Sequence, residues 1–174
     1  MVNLHLAYTA PINPPNTTPV LNAAQCWAGL QHKVRHPQTY VKAIAECEII
    51  EEEDGVVTRD VIFGERPNEK VREVCKNYEP TQRNVPGAQA LKHGAFQVDF
   101  HQTNGSVISN IISDGPSGEP TDLYLTFAFQ WVNKGVEAGS SEAEQLMKKY
   151  KAMAKTSVDK SIEAIRNEVK EGKI

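Results

Sequence analysis

Residues 123–131, LYLTFAFQW, alternate large apolar side chains with smaller or more polar ones more strictly than any other part of the 174-residue chain. The large side chains on one face would be Leu123, Leu125, Phe127, Phe129 and Trp131. Since successive side chains of a strand point to opposite faces, this period of two predicts a β-strand with one buried face. The longest helical pattern of the chain follows, beyond Gly135 and Gly139. We therefore expect a sheet packed against the last helix.

That last helix has an uneven apolar face. Ser141 and Glu144 match a capping box, and the pattern continues for about 28 residues, or about 42 Å. Its apolar face is bulky towards both ends but small in the middle, at Ala154, Ser157 and Ser161. Small residues facing a sheet leave room for a ligand. The pattern indicates a cavity here, with Phe127, Phe129 and Trp131 as its wall.

The preceding chain predicts strands joined largely by hairpins. Residues 2–10 alternate as a first strand; Asn22 and Gln25 then cap a helix that should end near His36, and Pro37 can open a second short helix. Further strands are expected at 43–52, 56–63, 69–78, 96–101 and 107–113, while 79–94 has no clean period. Hairpin-linked strands with helices grouped to one side indicate an α+β fold, in a single domain spanning residues 1–174.

Composition narrows the class of protein. The chain is 40% hydrophobic and 24% charged, with a net charge of −3 and interspersed charges. This balance indicates a soluble globular protein and argues against nucleic-acid binding, which needs a concentrated basic face. The first residues lack the pattern of a signal peptide, and no apolar run is long enough to span a membrane, so a cytoplasmic location is expected. Cys26, Cys47 and Cys75 are expected to be reduced and structural.

Two charged residues fall on predicted inner faces of neighbouring strands. Arg59 shares the more apolar face of 56–63, and Glu73 faces inward because Arg72 and Lys76 prefer water. Such residues can pair across a sheet. In a functional interpretation, Arg59 binds a carboxylate, enolate or carbonyl of a ligand, and Glu73 orients that ligand or acts as a general base. The alternative is a structural ion pair that braces a curved sheet.

Other candidate sites are weaker. His32 and His36 have a metal-compatible i, i+4 spacing, but no third ligand is evident and both are expected to be exposed to solvent. Asp99 and His101 share a strand face that is predicted to be the outer one, which disfavours a catalytic dyad. The sequence has no glycine-rich phosphate loop, nucleophile elbow or clustered metal ligands, so neither a cofactor nor a metal is predicted.

Four stretches resemble the AtaL-like family of the START/Bet v 1-like (SRPBCC) superfamily. They are residues 8–14 (YTAPINP), 58–64 (TRDVIFG), 78–80 (YEP) and 123–131. The resemblance covers nearly the whole chain, with one departure, a longer loop around Pro86–His93. It implies a helix-grip fold, in which a curved, antiparallel, seven-stranded sheet wraps around a long C-terminal helix, with two short helices after the first strand.

The resemblance also implies a function. The superfamily uses a deep, largely apolar cavity for lipids, hormones, polyketides and other secondary metabolites, and AtaL-like proteins resemble products of fungal secondary-metabolite clusters. Aromatic residues that would otherwise simply form the core would then line a cavity. The expected ligand-binding residues are Tyr8, Trp27, Val61, Phe63, Cys75, Phe127, Phe129, Trp131, Ala154 and Ser157.

Three functions follow as hypotheses. In the first, the protein encloses an apolar small molecule, a polyketide- or peptide-derived intermediate, and catalyses its cyclisation, isomerisation or dehydration without a cofactor, using Arg59 and Glu73. In the second, it is a carrier or sequestering protein without catalysis. In the third, it is a protein-interaction module like the SRPBCC-type co-chaperones, which would need an apolar outer face. Charged residues predicted on that face argue against the third: Glu46, Glu48, Arg72 and Lys76.

Overall fold

The computed structural model describes residues 1–79 and 95–174. The described chain forms seven strands and two long helices, with one turn of 3-10 helix at Pro37–Thr39. The strands are β1 (Val2–Pro11), β2 (Ile44–Glu53), β3 (Val56–Phe63), β4 (Lys70–Tyr78), β5 (Phe96–Gln102), β6 (Val107–Asp114) and β7 (Leu123–Asn133). The helices are α1 (Ala23–Arg35) and α2 (Ser141–Lys170). The predicted longer loop around Pro86–His93 lies outside the described residues.

The seven strands form one curved antiparallel sheet in the order β1-β7-β6-β5-β4-β3-β2. Strands β2 to β7 follow one another as neighbours, and β1 completes the sheet beside β7. Helix α2 packs against β1 and β7, and α1 packs between α2 and β6. This arrangement confirms the predicted α+β helix-grip fold. No helix in the described parts of the chain has the length and apolar character needed to cross a membrane.

Strand β7 confirms the alternation predicted for residues 123–131. Its side chains are buried at Leu123, Leu125, Phe127 and Phe129. The residues between these four are partly exposed, and Gln130, which follows them, is exposed. Burying one such large apolar side chain contributes about 1.5–3 kcal/mol. Because β7 lies between β1 and β6, its buried face stands at the centre of the core.

The ends of both helices follow local sequence. Asn22 and Gln25 form the predicted capping box, and α1 ends before Pro37 with His36 as its C-cap. The N-cap of α2 is Ser140, whose Oγ accepts a hydrogen bond from the Ala143 amide at 3.2 Å. The prediction of a capping box at Ser141 was therefore one residue late, because two adjacent serines offer equivalent caps and Ser141 is already helical.

Strand β2 departs from its predicted alternation. With Glu46 and Glu48 predicted on the outer face, the residues that alternate with them would face inward, but only Ile44 is buried and Ile49 is exposed. Register shifts against β3, between Ile44 and Glu46 and between Ile49 and Glu51, interrupt the period of two. Since β2 is also an edge strand, with a neighbour on one side only, it has little core to face.

Polar side chains fasten α2 to the N-terminal half of the chain. Glu168, which is buried, accepts a hydrogen bond from His32 Nδ1 at 2.7 Å and another from the Tyr40 hydroxyl. His32 is therefore only partly exposed, which corrects the prediction that both histidines face solvent; His36 does. Arg166 donates to the backbone carbonyls of Ile12 and Pro19 and so holds the proline-rich connection.

The two helices approach closely at Gly29, where a Cβ atom would lie 2.5 Å from Ile165 Cγ1. Alanine normally stabilises a helix interior by about 1 kcal/mol relative to glycine. Here we expect Gly29→Ala to destabilise the protein by about 1–3 kcal/mol, because the added methyl group overpacks the contact. Urea unfolding monitored by circular dichroism measures the change.

Ile165→Ala provides the matched test of this cause. In the double variant Gly29→Ala/Ile165→Ala the new methyl group has room. Adding Gly29→Ala to Ile165→Ala should therefore leave the free energy of unfolding unchanged or increase it. An equal cost of Gly29→Ala in both backgrounds would show that the helix contact is not responsible.

Candidate functional site

A cleft of about 590 Å³ lies between the sheet and α2. Parts of both helices and of strands β2 to β7 line it, as do the turns between several of these strands. Its volume falls in the range of small-molecule pockets. The cleft is therefore where the sequence predicted a cavity, between the last helix and the sheet.

Five of the predicted site residues line this cleft. They are Phe63, Arg59, Glu73, Trp131 and Ser157. Trp131 stacks on Phe129 with ring centroids 4.5 Å apart and lies 4.0 Å from the Tyr150 ring. Strand parity and the small residue in α2 thus indicated part of the lining correctly.

Other predicted ligand-binding residues belong to the packed interior instead. They are Val61, Cys75, Phe127, Phe129 and Ala154, none of them more than 5% exposed. The prediction that Phe127 and Phe129 form the cavity wall is therefore wrong for this cleft. The ammonium group of the lining residue Lys33 lies 4.0 Å from the Phe127 ring centroid, and the lining residue Trp131 stacks on Phe129.

Tyr8 and Trp27 also lie away from the lining. Tyr8, on β1, is partly buried, and the Lys155 ammonium group lies 5.5 Å from its ring centroid. The Trp27 indole N–H donates to Glu79 Oε1 at 2.9 Å, and its ring is 5.2 Å from that of Phe96. Both aromatic residues pack against the core from its periphery.

Arg59 and Glu73 form the ion pair that strand parity predicted. They are direct neighbours in the β3–β4 register and are 2% and 3% exposed. Arg59 Nε and Nη2 donate to Glu73 Oε2 at 2.9 and 2.6 Å, and Gln102 Nε2 donates to Glu73 Oε1 at 2.9 Å. Burial acts to lower the pKa of Arg59, but the Glu73 carboxylate outweighs it and raises that pKa. Arg59 therefore stays charged.

Arg59 also binds the end of α1, which the sequence did not predict. Its Nη1 donates to the backbone carbonyls of Lys33 and Val34, at 3.0 and 2.5 Å. The last carbonyls of a helix lack partners within the helix and carry partial negative charge. A guanidinium group there satisfies them, so the ion pair joins the sheet to α1.

Lys33 is a lining residue of the cleft that the sequence did not single out. It lies on α1, is 6% exposed, and its Nζ donates to Asn110 Oδ1 on β6 at 2.7 Å. Burial, followed by the positive charge of Arg59, lowers the pKa of Lys33 to about 7, although the charges of Glu73 and Cys75 act in the opposite direction. The amine is thus present in both protonation states near neutral pH.

Two features of the sequence could have indicated Lys33. The buried face of α1 includes Cys26, Leu30 and Lys33, whereas Trp27 is only partly buried. Lys33 follows Cys26 by seven residues and Leu30 by three, which places all three on one helix face. In addition, Asn110 interrupts an apolar strand at an inward position, where a buried polar partner is needed.

The remaining candidates do not form a second site. Asp99 accepts a hydrogen bond from Gln97 Nε2 at 2.8 Å, and His101 Nε2 is buried without a partner within the described residues. Cys26, Cys47 and Cys75 are free thiols. Within residues 1–79 and 95–174, no group of three or more His, Cys, Asp or Glu side chains could hold a metal ion.

The chain is similar in sequence to a known protein family over almost its whole length. The family model described as "AtaL: Acetylaranotin biosynthesis cluster protein L" matches residues 6–172. A protein of that name from Aspergillus terreus (strain NIH 2624 / FGSC A1156) is 26% identical over 168 residues, which are 97% of this chain and 91% of the relative.

Two solved structures share the fold. The Zhui aromatase/cyclase from Streptomyces sp. R1128 matches with a TM-score of 0.57 and 16% identity, over 97% of this chain and 94% of that one. The solution structure of the KanY protein matches with a TM-score of 0.57 and 12% identity, over 98% and 99%. At these identities the likeness establishes the fold alone.

The Arg59–Glu73 pair has a matched control in the next residue pair of the same register, Asp60 and Arg72. Arg59→Met leaves Glu73 buried without its partner, so we expect a loss of about 3–5 kcal/mol in the free energy of unfolding. Arg72, whose side chain is 46% exposed, reaches solvent while pairing with Asp60, whose side chain is 10% exposed. Arg72→Met should cost at most about 1 kcal/mol.

Urea unfolding of both variants measures these losses. Replacing both charges, in Arg59→Met/Glu73→Leu, should recover part of the loss, because no unpaired carboxylate then remains in the interior. Similar losses for Arg59→Met and Arg72→Met would contradict the structural importance given to the buried pair.

Proposed function

This chain belongs to the AtaL family, and we propose that it binds an apolar small molecule of secondary metabolism in the cleft between the sheet and α2. The observation that supports this most is the cleft itself, which has aromatic walls and a buried polar end. The name of the Aspergillus terreus relative refers to a biosynthesis cluster, and one protein of the same fold is an aromatase/cyclase. Both facts favour a ligand of this class.

The apolar side of the cleft suits a flat ligand. Trp131 and Tyr150 present neighbouring rings, and Phe100 and Ile108 add apolar surface from β5 and β6. The Tyr150 hydroxyl donates to Asn133 Oδ1 at 2.9 Å, which fixes the orientation of its ring. Oriented aromatic rings bury large areas of a flat molecule and favour offset stacking.

The polar end suits a carbonyl, carboxylate or enolate. Arg59, Glu73 and Lys33 all line the cleft. In the contacts of the described residues, Arg59 retains one Nη2 hydrogen and Glu73 Oε1 retains a lone pair beyond the one used by Gln102. We propose that Arg59 polarises a ligand oxygen and that Glu73 transfers a proton, which supports cyclisation, isomerisation or dehydration without a cofactor.

A non-catalytic carrier is the second candidate. The observation that favours it is that Arg59 and Glu73 already bind each other, and that Arg59 also binds the end of α1. A group committed to structure in this way contributes less to turnover. A carrier releases its ligand chemically unchanged, whereas a catalyst does not. Both candidates require the same binding cleft.

Filling the cleft tests ligand binding with a chosen probe, the fluorescent dye 1-anilinonaphthalene-8-sulfonate. We expect the wild-type protein to bind the dye and Ser157→Trp to bind it at least about tenfold more weakly, because the indole would occupy space that Ser157 leaves open. The control is Thr156→Trp, at the adjacent exposed position of α2. It should bind as the wild type does.

Fluorescence titration gives the three dissociation constants, and circular dichroism verifies that both variants are folded. Equal affinity of the wild type and a folded Ser157→Trp variant would show that the dye does not bind in this cleft and would contradict the proposal.

A further inference from the structure

We propose that Lys33 is a catalytic amine that forms an imine with an aldehyde or ketone group of the bound ligand. This inference rests on the proposed function, since it requires a ligand in the cleft. It adds the class of substrate, an apolar carbonyl compound, and the atom that would react with it, Lys33 Nζ.

The position of Lys33 supports this role. Its side chain lines the cleft but is almost completely buried, and its ammonium group lies 4.0 and 5.7 Å from the ring centroids of Phe127 and Phe100. Its hydrogen-bond partner is a neutral amide, Asn110 Oδ1. The amine therefore lies between Phe100, which lines the cleft, and Phe127, which is packed in the interior.

The charged and titratable groups around Lys33 come from two strands. Arg59 on β3 disfavours a second positive charge, while Glu73 and Cys75 on β4 favour it. Glu73 is bound by Arg59 and Gln102 rather than by Lys33, and burial raises the pKa of Cys75 to about 12, so that thiol is neutral. Burial is thus the main influence on the pKa of Lys33, and it lowers that pKa.

The consequence is a reactive amine at neutral pH. A lysine with the ordinary pKa of about 10.4 is neutral in roughly one molecule in 2,500 at pH 7. With its pKa lowered to about 7, Lys33 is neutral in about half of the molecules. Desolvation in an apolar pocket is a recognised way to activate a lysine as a nucleophile.

The reaction balances without a cofactor. The lone pair of neutral Nζ attacks the carbonyl carbon and the carbonyl π bond breaks. Nitrogen then loses a proton and the former carbonyl oxygen gains one, which gives a carbinolamine. Loss of water then forms the carbon–nitrogen double bond, so amine and carbonyl compound become imine and water. The protonated imine withdraws electrons from the adjacent carbon and makes its C–H bond acidic, as a cyclisation or condensation at that carbon requires.

Asn110 provides the second observation. Its side chain is fully buried, and Nδ2 has no hydrogen-bond partner in the described part of the protein. An ammonium group only donates, so Oδ1 must face Lys33, which leaves the Nδ2 donor for another acceptor. An unpaired buried donor costs about 1–3 kcal/mol. We assign Asn110, which is not itself a lining residue, as a positioning residue that holds Nζ through Oδ1.

Trapping the imine tests the assignment. The wild-type protein is incubated at pH 7 with 6-methoxy-2-naphthaldehyde and sodium cyanoborohydride, whose hydride reduces the imine to a stable secondary amine. Peptide mass spectrometry then locates the adduct. We expect it at Lys33, with loss of that adduct in Lys33→Met.

Lys149 provides a matched control, because it also lines the cleft but is exposed. Lys149 should be labelled far less than Lys33 in the wild-type protein, and Lys148→Arg, at an exposed position outside the lining, should leave the Lys33 adduct unchanged. Labelling of Lys149 or of other lysines, with none at Lys33, would overturn the proposal.

A companion ligand separates the two proposals. The corresponding alcohol, 6-methoxy-2-naphthalenemethanol, has the same apolar body but cannot form an imine. If its fluorescence shows binding that Ser157→Trp weakens, and the aldehyde still gives no Lys33 adduct, the imine is overturned and the proposed function stands. If the alcohol does not bind and no adduct forms, both are overturned.

The pH dependence distinguishes an activated amine from an ordinary one. The initial trapping rate should rise with pH, pass through a midpoint near pH 7 and then level off, because only the neutral amine reacts. Asn110→Asp places a carboxylate beside Nζ, which favours the charged amine and should move the midpoint to higher pH. A wild-type rate that still rises tenfold per pH unit between pH 8 and 9 would contradict the assignment.

Discussion

The buried ion pair between Arg59 and Glu73 is the interaction on which the arrangement of the cleft depends. Removing two charges from water costs several kcal/mol for each ion, so the pair is tolerable only with good geometry and further hydrogen bonds. Glu73 receives three hydrogen bonds, two from Arg59 and one from Gln102, and Arg59 also binds two carbonyls of α1. The pair therefore joins β3, β4 and β5 to the end of α1.

That junction determines where Lys33 lies. Its carbonyl oxygen accepts a hydrogen bond from Arg59, and its amine donates to Asn110 on β6. Backbone and side chain of one residue are thus held from two parts of the sheet. The same guanidinium charge that fixes the helix end also helps to lower the pKa of the Lys33 amine. Arg59 therefore affects both the position of Lys33 and the charge of its amine.

The sequence predicts which side chains of a strand face the core wherever the strand keeps a regular alternation. Alternation in β7, and the inward positions of Arg59 and Glu73, follow from a period of two that burial of one face maintains. In β2 the same rule failed, because register shifts at Glu46 and Glu51 and an edge position remove the constraint. The functions of the site residues stay predictions.

The burial of Lys33 was harder to predict from sequence, because which side chains of a helix are buried depends on the elements that pack against it. Most lysines on helices face solvent, so the residue type alone does not mark Lys33 as buried. The small residues of α2 likewise have two roles. Ala154 and Ser161 are buried, and only Ser157 of the three lines the cleft.

The most direct measurement of this account is an NMR titration of the native protein with lysine labelled at ¹³Cε, using Lys33→Met to assign the resonance. We expect Lys33 to titrate with a midpoint near pH 7. A midpoint near 10, the ordinary value for a lysine, would contradict it. In that case the Lys33 amine would be an ordinary charged group, and the cleft would lack the reactive centre assigned to it.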